Sequence, residues 1–77
     1  MSYGEQRALE TLPARIASLQ AQVEALNGEL AAPGLYARDP ERFAAKTAAL
    51  AAAHDELTAA EERWLTLEMR REEIEGL

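Results

Sequence analysis

The sequence contains no cysteine. It therefore forms no disulfide and offers no thiolate nucleophile, which fits a cytoplasmic setting. It has a single histidine, His54. A helix places Leu50, Ala51, Leu57 and Thr58 beside it, and none of these supplies the second imidazole, thiolate or carboxylate that a metal site needs. His54 therefore reads as a semi-exposed helix residue, with no metal or catalytic role. No apolar run reaches the length of a membrane span, and no signal-peptide pattern opens the chain, so no membrane contact is expected. No G-x-x-x-x-G-K-S/T is present to cradle nucleotide phosphates. The expectation is a domain with no catalytic residue, no metal and no cofactor of its own. Proline and glycine are scarce, at three and four residues, and aromatics make up 5%. With 77 residues there is room for one small domain, whose limited core makes a partner's contribution to stability valuable.

What remains is helix-forming. There are 17 alanines, with Leu, Glu and Arg also common, a composition typical of long helices and coiled coils. Ser2-Tyr3-Gly4-Glu5 fits a capping box, with a hydroxyl at the N-cap and a carboxylate three residues on. Leu9, Leu12, Ile16, Leu19, Val23, Leu26 and Leu30 recur at alternating steps of 3 and 4, the a/d seam of a heptad pattern. Pro13 lacks an N–H and disfavours helical geometry at Leu12, so a break or sharp kink is expected there. The same spacing returns at Phe43, Lys46, Leu50, Ala53, Leu57, Ala60, Trp64, Leu67, Arg71 and Ile74. Alanines at 53 and 60 leave room for large side chains from a facing helix.

Between the two seams lies 32–39. Pro33 stops a helix, Gly34 can take the positive φ of a reversal, and Asp39-Pro40 combines an N-cap with a proline suited to the first helical position. The pattern predicts an all-α fold: an antiparallel two-helix coiled-coil hairpin with a short N-terminal helix. Its helices fall at about 3–11, 13–31 and 40–75, joined by a tip loop at about 32–39, all one domain over 1–77. Folding at the tip sets Leu30 near Phe43, Val23 near Leu50, Ile16 near Leu57 and Leu9 near Trp64. Trp64 then reads as core, and Leu35 and Tyr36 close the loop against Leu30 and Phe43. The second arm spans roughly 54 Å at 1.5 Å per residue, so the short helix is needed to cover it.

Formal net charge is −6, which repels nucleic acid on average and leaves only local patches to bind it. Arg38, Arg42 and Lys46 fall within nine residues at the tip, against Asp39 and Glu41. Arg7, Arg63, Arg70 and Arg71 form a secondary candidate patch at the open end. No cation lies between Lys46 and Arg63. If phosphates are contacted, the tip or the base does it. On charge pattern alone, these cations also fit ordinary solvated faces and pairs such as Glu68–Arg71.

With these residues placed, the chain resembles the C-terminal coiled-coil domain of Uup-type ABC-F ATP-binding cassette proteins. The resemblance rests on Ser2-Tyr3, Glu5-Gln6-Arg7, Leu9-Glu10 and Leu12-Pro13 at the start. Pro33, Leu35-Tyr36, Asp39-Pro40 and Phe43 carry it at the turn, and Glu62-Arg63-Trp64 and Leu67-Glu68 on the returning arm. It covers nearly the whole chain. Such domains usually carry Lys at the position of Gly4, so one cation is missing here. The resemblance implies a cytoplasmic ATPase with two cassettes upstream, and work on nucleic acid, either DNA binding by this domain or association with ribosomal RNA. Weak self-association through the heptads is a further expectation. The alternative is a structural or oligomerisation coiled coil that binds protein only.

Overall fold

The computed structural model describes residues 1–76. The chain forms α1 (Tyr3–Leu30), a one-turn α2 (Leu35–Arg38) and α3 (Pro40–Glu75). It is an all-α hairpin with principal extents of 59 × 16 × 14 Å. Among the described residues there is no strand.

α1 starts at the expected capping box. The Ser2 hydroxyl accepts the Glu5 N–H at 3.2 Å, and the Glu5 carboxylate accepts the Ser2 N–H at 3.2 Å. The expected break at Pro13 is absent: α1 runs through it as a single 28-residue helix. Pro13 forfeits one backbone bond, and a helix-interior proline costs about 3 kcal/mol. Against that, Leu9 and Leu12 before it and Ile16 after it are half-buried, and Leu19 is buried. Fully burying one such side chain is worth about 1.5–3 kcal/mol, so four that are half-buried or buried together offset the proline's cost. Breaking the helix would take one group or the other off the seam, so packing outweighs local propensity. Pro13 itself is exposed.

The tip also differs from a plain loop. The Ala31 N–H closes α1 on the Asn27 carbonyl at 3.0 Å, and Gly34 then takes φ 80°. α2 follows, ending where Asp39 donates its N–H to the Leu35 carbonyl at 2.9 Å. The Asp39 carboxylate accepts the Arg42 N–H at 3.0 Å and caps α3, with Pro40 in its first turn. Leu35 is buried, and Tyr36 meets Phe43 edge-to-face at 5.4 Å, so the loop closes on the apolar end of the hairpin as expected.

Every seam position of α1 is buried or half-buried. Leu19 is 1% exposed, and Ala53 and Leu67 are buried on α3. Three ion pairs cross between the helices: Glu5–Arg70 near the open end, Arg15–Glu56 along the shaft and Glu29–Lys46 near the tip. All three agree with the antiparallel register that sets Leu30 near Phe43 and Leu9 near Trp64. In that register Leu19 lies across from Ala53, a large side chain filling the space a small one leaves. Ile74 departs from the expected seam at 46% exposure, because α3 outruns the start of α1.

Candidate nucleic-acid interface

The tip brings its three cations together. Arg38 ends α2, Arg42 lies in the first turn of α3, and Lys46 follows one turn later. They line one shallow depression with Glu29, Ala32 and Leu35. The buried Leu35 anchors α2 there, which carries Arg38 to the same rim as the two α3 cations.

The three are not equivalent. Lys46 sits on the seam, half-buried, and its Nζ lies 2.8 Å from a Glu29 carboxylate oxygen. That contact holds the Glu29 carboxyl below the usual 4.5: the Lys46 hydrogen bond acts most strongly, followed by the Lys46 charge and that of Arg42, with partial desolvation opposing them. Arg38 and Arg42 are exposed, and neither forms an ion pair among the described residues. Tyr36 on α2 is 67% exposed, with its ring edge-to-face against Phe43.

The open end is more nearly neutralised. Arg7 faces Glu10 at 3.8 Å, Arg70 faces Glu5 at 3.1 Å, and Arg71 pairs with Glu68. Glu5 is held below 4.5, first by the backbone hydrogen bond from Ser2, then by the Ser2 hydroxyl, the Arg70 charge and the N-terminal amine; desolvation opposes them. Arg63 alone of this group forms no ion pair among the described residues, and it shares its groove with Glu5, Glu62 and Arg70. Arg15 belongs to neither expected cluster. It lies on α1 and pairs with Glu56, so the shaft carries one cation, already matched. The antiparallel register was the signal for that pair, since it sets 15 beside the stretch 56–58.

His54 is exposed, and among the described residues no cluster of three His, Asp or Glu is placed to hold a metal ion. Trp64 is half-buried on the seam and lines an apolar groove with Pro13, Ile16 and Leu65. Among the described residues no helix is long and apolar enough to cross a membrane.

A capped helical hairpin closed along a heptad seam defines a coiled-coil domain. Residues 1–69 match the family described as ABC transporter C-terminal domain, and the chain belongs to that family. It is 37% identical over 76 residues to the ATP-binding protein Uup of Haemophilus influenzae, covering 99% of this chain and 12% of that protein. It is 36% identical over 76 residues to the ATP-binding protein Uup-like of the same organism, covering 99% of this chain and 17% of that one. Against the ATP-binding protein Uup of Escherichia coli the identity is 40% over 68 residues, or 88% of this chain and 11% of that protein. The chain thus spans less than one fifth of the length of these relatives. No solved structure matches it significantly.

Proposed function

We propose that this chain is the tail domain of a cytoplasmic ABC-F ATPase. It positions that enzyme on structured nucleic acid, DNA or ribosomal RNA, and performs no chemistry itself. The relatives' names, ATP-binding protein Uup, support the cassette part of this reading. The observation that carries the nucleic-acid part is the pair Arg38 and Arg42, exposed at the far end of a 59 Å rod and without ion-pair partners among the described residues. A stiff arm of this kind acts by position: cassettes at the open end hydrolyse ATP while the tip holds a phosphodiester backbone. Phosphate contacts fix orientation without reading sequence, which suits a domain that docks.

A second reading is a coiled coil that binds protein only. Leu65 and Met69, 54% and 55% exposed on neighbouring turns of α3, favour it, as does the net charge of −6. Binding of the chain to labelled duplex DNA and to a labelled RNA hairpin at low salt, run beside sedimentation across a range of concentrations, separates the two. Salt-sensitive binding by a monomer supports docking on nucleic acid. No binding to either probe, with a mass that rises with concentration, supports the protein-only reading.

A further inference from the structure

The depression at the tip contains one residue of the wrong sign for a phosphate site. Glu29 enters it from α1, while Arg38, Arg42 and Lys46 enter from α2 and α3. Its carboxylate lies 2.8 Å from Lys46 Nζ, and the side chains remain 46% and 29% exposed. The pair is therefore within reach of an incoming anion and is not sealed in a core. We infer that Glu29 is an internal competitor for the tip's phosphodiester contact: it occupies Lys46 and so limits the tip to the contacts that Arg38 and Arg42 can make.

This inference rests on the nucleic-acid reading above and names the residue that sets the strength of that site. Three observations converge on it. Lys46 shares a rim with the two arginines and stands one helical turn from Arg42, so a backbone phosphate bound there is within reach of all three. Lys46 Nζ has three donors but one charge, and the Glu29 carboxylate already balances that charge and repels a second anion, so a phosphate gains little from Lys46 while Glu29 stays paired to it. Glu29 also stays ionised near neutral pH, because Lys46 and Arg42 both favour its charged form. The competition is thus a permanent setting of the site. It keeps an acidic chain of net charge −6 a weak, readily released binder.

The test is a salt titration of binding to labelled duplex DNA and to a labelled RNA hairpin. It compares the wild-type chain with Glu29→Gln, Glu29→Gln/Lys46→Gln and Glu24→Gln. Glu24 is exposed on α1 and controls for the loss of one negative charge. Each phosphate neutralised on a duplex adds about −0.9 to the slope of log K against log salt. Glu29→Gln should therefore steepen the slope by about −0.9, so that a fourfold rise in salt costs it about 3.5-fold more affinity than it costs wild type. The double variant should return to the wild-type slope, and Glu24→Gln should not move it. Both probes should agree, since the ligand is the shared phosphodiester backbone.

Circular dichroism of each variant verifies that the helices remain. If Glu29→Gln tightens binding but the double variant keeps the gain, Lys46 is not the released cation and the inference fails. If wild type binds and Glu29→Gln behaves like Glu24→Gln, the inference fails while the docking reading stands. If no variant binds either probe, both fall.

Discussion

Asp39 holds the turn of the chain from both sides. Its N–H closes α2 on the Leu35 carbonyl, and its carboxylate opens α3 by accepting the Arg42 N–H. Asp39→Ala should cost about 0.5–2 kcal/mol in a thermal or urea melt, and Asp39→Asn much less, because the amide oxygen can still accept that bond. Equal losses would mean that the charge, and not the cap, is what matters. Gly34, at φ 80°, is the other residue the turn depends on, since a Cβ there meets no neighbour yet disfavours the left-handed backbone. The tip cations differ in the same way. Arg38 and Arg42 are available, whereas Lys46 belongs as much to the seam as to the surface.

At the scale of elements, α1 and α3 are held by a seam that local rules describe only in part. Leu19, 1% exposed and facing Ala53, should be its most sensitive position. Leu19→Ala should cost about 2–5 kcal/mol, and His54→Ala, on the exposed face, should stay within about 0.5 kcal/mol. Melts in which the two variants are equally stable would contradict the packing described. This seam was legible in the sequence because its 3,4 spacing recurs in both arms, and the capping residues Ser2 and Asp39 sit where short-range chemistry puts them. The continuity of α1 was not. Pro13 is a local breaker, and only the burial of leucines on both sides of it, against a helix distant in sequence, decides the matter. α2 was missed for a similar reason: its single turn depends on Leu35 reaching the hairpin's apolar end. The cationic tip was legible as a cluster along the chain. Its internal pairing was not, because Glu29 lies on the other helix and meets Lys46 only once the register is set.

For the whole molecule, the net charge of −6 sets the background against which each local pair acts. Glu5 and Glu29 are both depressed below 4.5 in the folded chain. A carboxyl whose folded pKa is lowered adds stability above its unfolded value, and that stability is lost as pH falls through the folded value. The melting temperature should therefore carry a Glu29-dependent loss beginning below pH 4.5. Neutralising the remaining carboxylates relieves general repulsion over the same range, so the comparison of wild type with Glu29→Gln isolates the pair. Identical pH profiles for the two would show that Glu29 is not engaged in solution.

At this scale the central claim is that an acidic rod docks through its tip. The most direct measurement is affinity for a short labelled duplex across salt, for wild type, Arg38→Gln/Arg42→Gln and Arg70→Gln/Arg71→Gln. With two available tip cations the wild-type slope should lie near −1.8. The tip variant should lose binding while keeping its helical melt, and the open-end variant should retain both affinity and slope. Undiminished binding by the tip variant, with loss in the open-end variant, would contradict the account and move the contact to the base of the hairpin.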